Sequence, residues 1–461
     1  MKKIISKSNK AVLVALGLGI GVLTPYTAMA TNGYFSHGFG TKNKALAGGG
    51  IALPQDAMIA ATNPAGIVFV DERMEAGVAL FAPMRSYSAS SATGGTDGAA
   101  CAPNCAFTIG GASGGQALDS DNEQFLIPHF AYNMPLDDTS SFGVSVYGNG
   151  GMNTEYKGGT AQHQSSTGTY ETTAGTFGAG TAGVNLEQLF INASYAGKIA
   201  DEASWGVSAI YAYQRFKADG LSQFAGYSAS PSNISNNGTD NSSGFGLKLG
   251  LQAEVAKGVT LAASYQTEMD MDKFDKYSGL FAEGGDFDIP ATLILGAAWQ
   301  TSERSTFTVD VQTIYYSDVP AIANPIANLT GQCTPGATGG TGAGCLGGAN
   351  GAGFGWEDMT IVKLGYQWQT SPDWVWRAGY SKGDQPIPSS EVVFNILAPA
   401  VIEEHITFGF THNMSKTSEF SFSAMYAPET TVSGANTFNP SQTVAIKMDQ
   451  YELEASWGWK F

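Results

Sequence analysis

Arg377 and Lys363 are the side chains in this sequence whose chemistry could hold an anion. They share a phase with Lys248, Glu254, Glu268, Asp270 and Asp310 along their segments. An Arg or Lys in a dry site makes short, charge-assisted hydrogen bonds to a carboxylate. The competing reading is that each cation is matched by a carboxylate of the same face, because an unpaired buried charge is costly. Catalytic chemistry finds little footing. His37, His129, His163, His405 and His412 are dispersed, and His405 follows Glu403 by two residues without a serine or cysteine placed beside them. The sequence has no HExxH, GxSxG or GxxxxGK[ST] pattern. Its Gly-rich runs lack the strand–turn–helix setting of a nucleotide site. No enzymatic activity, metal or cofactor is expected.

Three further groups of residues could bind, bend or staple. Leu221, Phe224 and Tyr227 fall in one low-complexity stretch, and Tyr277, Leu280, Phe281 and Phe287 in the next. They either pack within a compact loop or form a groove that captures a hydrophobic small molecule, the reading we favour. Gly148, Asn149, Gly150 and Gly151 follow the strand-like run Phe142 to Tyr147. Glycines there mark a bend or bulge, or the end of the strand. Asn63-Pro64-Ala65 reads as a turn, since proline disfavours helix at the residue before it. Cys101 and Cys105, and likewise Cys333 and Cys345, are near neighbours in Gly-, Ala-, Ser- and Thr-rich stretches without a histidine beside them. In an exported chain each pair is expected to form a disulfide rather than a zinc site.

The elements that must position these residues are strands. From Tyr451 to Phe461, Tyr451, Leu453, Ala455, Trp457, Trp459 and Phe461 alternate with Glu452, Glu454, Ser456, Gly458 and Lys460. One face of that strand is apolar and the other charged or small. The pattern recurs at Phe245 to Val255 and, after a Lys257-Gly258 turn, at Val259 to Met269, which predicts a hairpin. Further strands are predicted at 360–369, 374–381, 406–414 and 420–426. Short polar turns fall at 136–140, 200–204, 257–258, 301–305, 371–373 and 415–419. Long stretches fall at 88–121, 151–185, 217–243, 271–289, 317–357, 383–403 and 429–447. Short and long connections alternate, as in an outer-membrane barrel, and they join about 14 strands. Lipid then meets the aromatic face and the lumen the carboxylates.

Composition agrees. The 461 residues are 43% hydrophobic and only 14% charged, with 59 glycines, and mean hydropathy is -0.06. Beyond residue 30 no apolar run approaches the roughly 20 residues of a spanning helix. Residues 1–30 read as a signal peptide: Lys2, Lys3, Lys7 and Lys10, the apolar run Ala11 to Leu23, then Ala28-Met29-Ala30. Loss of those four lysines takes the formal charge from -17 to -21, which argues against nucleic acid as a partner. Residues 31–72 do not follow the strand pattern and include a small-residue, helix-like stretch at 55–62. A barrel of this size is wider than side chains can fill, so this segment is the economical choice for a plug. Residues 73–461 form the barrel.

The 31–72 segment contains Thr31-Asn-Gly-Tyr-Phe-Ser-His-Gly-Phe-Gly40, Lys42-Asn43-Lys44, Leu53-Pro-Gln-Asp56 and Ala60-Ala-Thr-Asn-Pro-Ala-Gly66. It resembles the N-terminal hatch of the FadL/TodX family, outer-membrane transporters of long-chain fatty acids and aromatic hydrocarbons. Tyr277-Ser-Gly-Leu280, Asp288-Ile-Pro-Ala-Thr292, Arg377-Ala-Gly-Tyr380 and the terminal Phe461 also look family-like. The cysteine-bearing loops depart from the family core. The resemblance implies a monomeric 14-stranded barrel in the bacterial outer membrane, closed by a hatch that Asn63, Pro64 and Ala65 gate. It implies lateral release where the third strand kinks, at Gly148, Gly150 and Gly151, and capture between the apolar loops. The terminal strand would be read by the barrel assembly machinery. The rival readings are a general diffusion porin, a lipase-type enzyme and a purely adhesive barrel.

Overall fold

The alternation predicted above closes into a barrel. The computed structural model describes residues 32–91, 107–110, 115, 117–164 and 170–461. The expected signal peptide and the Cys101–Cys105 pair lie outside the described residues. The wall is built from fourteen strands: β1 (Arg73–Ala89), β2 (Phe125–Asp137), β3 (Ser140–Asn153), β4 (Gly183–Ala200), β5 (Ala203–Asp219), β6 (Asp240–Ala256), β7 (Val259–Gln266), β8 (Thr292–Ser302), β9 (Ser305–Ile314), β10 (Met359–Ser371), β11 (Trp374–Gly383), β12 (Glu404–Asn413), β13 (Ser418–Asn436) and β14 (Asn439–Lys460). Each pairs antiparallel with its neighbours in the chain, and β14 returns to β1, from Arg73 opposite Lys460 to Ala89 opposite Val444. Closure of β14 on β1 removes the free edges that an open sheet would have at its first and last strands, as crossing lipid with strands requires.

The two faces separate as the period-2 pattern requires. On β14, Tyr451 and Leu453 are half exposed, at 48% and 50%, while Gln450, Glu452 and Glu454 are buried. On β6, Phe245, Leu247, Leu249 and Leu251 form the same outward apolar row. The inward phase also changes along its length. On β14 it runs Val444, Ile446 and Met448 at the long-loop end, then Gln450, Glu452 and Glu454 towards the short turns, all buried.

The six short turns lie where the sequence places them, and three details differ. First, 429–447 is not a loop: β13 and β14 continue through it as a hairpin that turns at Asn436–Asn439. Its Thr-, Ser- and Gly-rich composition masks the period. Second, the helix-like stretch at 55–62 is a 3-10 turn, Ala57–Ala61, followed by a second, Pro64–Phe69. Third, β7 stops at Gln266, and Met269 instead bridges Ile289 across the loop. Within 151–185 a small hairpin, Thr160–Gln164 with Tyr170–Ala174, adds Phe107–Ile109 as a third strand. Among the described residues no helix is long and apolar enough to cross a membrane.

Candidate functional site

Residues 32–72 fill the lumen, and charge fixes them there. Lys44, on the short helix Thr41–Lys44, lies between Glu452 (2.9 Å) and Glu454 (2.8 Å) of β14. Thr41 Oγ1 donates to Glu454 at 2.8 Å. Lys42 pairs with Glu419 of β13 and stands 3.7 Å from Asp56. Arg73 joins Glu75 to Glu419. These groups are almost wholly buried. Removal of one partner would leave an uncompensated charge, which costs several kcal/mol. The inward carboxylates of β13 and β14 therefore face lysines of the N-terminal segment rather than a wet lumen. Sequence reading overlooked Lys42 and Lys44 as anchors. The surplus of inward acids over inward cations was the available signal.

The cations put forward as carboxylate partners also touch this segment. Lys363 of β10 donates to the carbonyls of His37 (2.9 Å) and Gly48 (3.3 Å). Arg377 of β11 donates to Gln55 Oε1 (2.7 Å) and Thr411 Oγ1 (2.8 Å). Lys248 of β6 donates to the carbonyl of Ala61. Asp310 of β9, opposite Lys363 in register, accepts from the Ile51 amide at 2.9 Å.

Asn63, Pro64 and Ala65 form the start of the second 3-10 turn. Asn63 Oδ1 accepts from the Ala65 amide (3.1 Å), so the side chain caps the turn. Pro64 takes the first position, where a missing N–H costs nothing. Ser204 Oγ holds the Ala65 carbonyl at 2.8 Å. The turn sits in a hollow made by two glycines that face each other in register, Gly206 of β5 and Gly250 of β6. A methyl group on Gly206 would come within 2.4 Å of the Ala65 amide nitrogen, and one on Gly250 within 2.1 Å of Asn63 Oδ1. Only glycine permits this approach.

β3 changes partner at the glycines. Its ladder to β2 ends at His129–Tyr147. Its register to β4 slips between Gly148 and Gly150, a bulge that leaves Asn149 unmatched. Beyond it, the N-terminal segment replaces β2: Ser36 donates to the Asn149 carbonyl and Gly151 to that of Tyr34, both at 2.9 Å. Among the described residues, Phe125–Pro128 of β2 pair with β1 and not with β3.

Above these contacts the apolar loop residues converge. Leu221, Phe224, Leu280 and Phe281 line one small cavity, together with Leu346, Phe354, Phe394 and Leu397 from two later loops. All fourteen residues of its lining are apolar or glycine. Phe287 packs behind it, 4.8 Å from the Phe281 ring and 6.2 Å from that of Tyr34. Tyr227 stands 6.5 Å from Phe438. Neither Arg377 nor Lys363 reaches this lining. A disulfide joins Cys333 to Cys345, next to Leu346. Sequence reading overlooked Leu346, Phe354, Phe394 and Leu397, although each is an apolar residue within a stretch otherwise read as loop.

A closed fourteen-stranded barrel, filled by its own N-terminal segment beneath an apolar cavity, defines the class of corked outer-membrane channels. The chain belongs to the family described as outer membrane protein transport protein (OMPP1/FadL/TodX), whose profile matches residues 24–455; it is an outer-membrane protein of a transport family. It is 24% identical over 420 residues to a long-chain fatty acid transport protein of Salmonella typhi, covering 84% of each chain. Its fold is that of the Pseudomonas putida toluene transporter TodX (TM-score 0.60, 16% identity, 92% of this chain and 99% of that one). A Pseudomonas aeruginosa FadL homologue is similarly close (TM-score 0.62, 15% identity, 93% and 100%).

Proposed function

We propose that this chain carries hydrophobic small molecules inward across the outer membrane, passively and without chemical change. The observation that carries this reading is the wholly apolar cavity set directly above a lumen filled by the N-terminal segment. Binding there is driven by transfer of apolar surface from water, worth about 0.8 kcal/mol per CH₂. The fatty acid and toluene transport named for its relatives supports the same substrate class. In this reading residues 31–72 are a hatch, and 73–461 the conduit. Leu221, Phe224, Tyr227, Leu280, Phe281 and Phe287 capture the ligand. Movement of the Asn63-Pro64-Ala65 turn out of its glycine hollow opens the path. The ligand leaves sideways beside Gly148, Gly150 and Gly151, because the hydrocarbon layer dissolves it better than periplasmic water does. The barrel works as a monomer, and Phe461 marks the strand that the assembly machinery reads.

Uptake of a labelled hydrocarbon or long-chain fatty acid by cells expressing Pro64→Ala tests the gate. We expect altered uptake at equal surface expression; unchanged uptake removes the gate. Planar-bilayer conductance tests the cork, since a large steady current through the native protein would instead make it a general diffusion porin.

A further inference from the structure

Three amide side chains and one hydroxyl form an unbroken row across the inner wall, starting at the β3 bulge. Asn149 Nδ2 donates to Gln188 Oε1 of β4 at 3.0 Å, and Gln188 Nε2 to Gln214 Oε1 of β5 at 3.1 Å. Gln214 Nε2 then donates to the carbonyl of Phe287 at 2.8 Å and to Ser242 Oγ of β6 at 3.3 Å. Gln188 and Gln214 face each other in register, as do Gln214 and Ser242. All four residues are at most 3% exposed. Their strand neighbours of the same phase are apolar and buried: Leu186 and Phe190 on β4, Ala212 and Phe216 on β5. Polar groups in such company are costly unless they are paired. The three amides all donate in one direction, towards Phe287, so each bond polarises the next.

The ends of the row lie at two separate parts of the proposed route. One end is Phe287, whose ring is 4.8 Å from that of Phe281, a residue of the apolar cavity. The other end is Asn149, the bulged residue left unmatched against β4. Asn149 is also tied to the N-terminal segment, because its carbonyl accepts from the Ser36 amide at 2.9 Å. Two residues on, the Gly151 amide donates to the Tyr34 carbonyl. A ligand larger than the small cavity must push Phe281 aside, and Phe287 packs directly behind that ring. The strands feel such a shift at the Phe287 carbonyl, since a hydrogen bond weakens steeply when its acceptor moves out of line.

We propose that Gln188 and Gln214 are positioning residues: their row holds the β3 bulge against the N-terminal segment while the cavity is empty, and an arriving ligand breaks the row at Phe287. This rests on the uptake reading and adds to it a physical link between capture and release. The bulge is the element with two states. With the row made, Asn149 is held by its side chain and by its carbonyl; with the row broken, the carbonyl bond to Ser36 is left to hold it. Because the ligand works against the row, removing the row loosens the bulge without weakening capture.

Hydrogen exchange of the Ser36 and Gly151 amides tests it, on the detergent-purified full chain with and without oleate or toluene. Equilibrium binding of the same two probes is measured alongside, after heat-modifiability confirms assembly. In the native protein we expect bound probe to speed exchange at both amides about fivefold or more, the low end of couplings between sites. Gln214→Met should exchange fast with or without probe, and should bind the probe at least as tightly as the native chain. Simple damage to the loop would lower that affinity instead. Ser208→Ala is the control: it removes the Ser194–Ser208 hydrogen bond (2.7 Å) between the same two strands and should keep the native response. If Gln214→Met does not assemble, Gln188→Met takes its place with the same expectations. Three results overturn the proposal and leave the uptake reading standing: bound probe that does not change exchange in the native chain, equal acceleration in native and variant, or weaker binding by the variant. A Ser208→Ala chain that behaves like Gln214→Met overturns it too. Native protein that binds neither probe sinks the uptake reading itself, and the coupling with it.

Discussion

Single side chains hold the N-terminal segment, and Lys44 is the plainest case. Lys44→Met would leave Glu452 and Glu454 facing each other in a buried site, a change that costs about 3–5 kcal/mol when one partner of a buried pair is lost. The expected result is protease access to residues 32–72 and a higher resting conductance in planar bilayers. An unchanged current would show that packing alone seats the segment. Asp288, in the loop that carries Phe281 and Phe287, gives a pH dependence. Burial first, then the nearby Asp286 and Asp270, push its carboxyl up to about 7, while the Met271 amide opposes the rise with a hydrogen bond of 2.7 Å. A raised carboxyl pKa means that the closed loop holds its proton more tightly than the open one. The loop is therefore tightest in acid, and that advantage fades between pH ~4 and about 7. Hydrogen exchange at Met269 and Ile289, which bond each other across the loop, should reveal more opening at high pH after correction for intrinsic rates. Asp288→Asn should flatten the profile. At this scale the sequence was half legible. The inward phase of Glu452 and Glu454 followed from alternation, but their partners lie over 400 positions away, where no local period reaches.

Among the elements, the glycine hollow sets the position of the Asn63-Pro64-Ala65 turn. Gly206→Ala places a methyl group against Pro64 and Ala65, an overpacking worth about 1–3 kcal/mol against the docked state. We expect leak currents without ligand, and a silent variant would count against the hollow as the seat of the turn. Gly150→Val should act on the other contact, because its added side chain would collide with the Tyr34 carbonyl. The fall in ligand uptake should then exceed any change in barrel melting. Strand existence and order were readable because each strand shows lipid on one side and lumen on the other. The Gly206–Gly250 pairing was not, since it depends on register between neighbours. The continuation of β13 and β14 through 429–447 was hidden for a different reason: beyond the lipid the outward face need not be apolar, so the period survives only in inward residues such as Val444 and Ile446.

For the whole molecule, closure depends on β14 meeting β1, and the N-terminal segment adds contacts without supplying the ladder. Deletion of residues 32–72 is therefore expected to leave a heat-modifiable, detergent-stable barrel with a large, permanent conductance. Failure of the truncated chain to assemble would make the segment part of the folding core instead. The strand number was legible because short and long connections alternate, a rule set by which side of the membrane each end faces. The shared cavity was less so, since it draws on loops from Leu221 to Leu397. The inward row of β14 has a further bearing on direction. An oily molecule descending it leaves Val444, Ile446 and Met448 for Gln450, Glu452 and Glu454. On the proposed route its solubility would drop at that boundary, which favours the sideways exit proposed above over further descent.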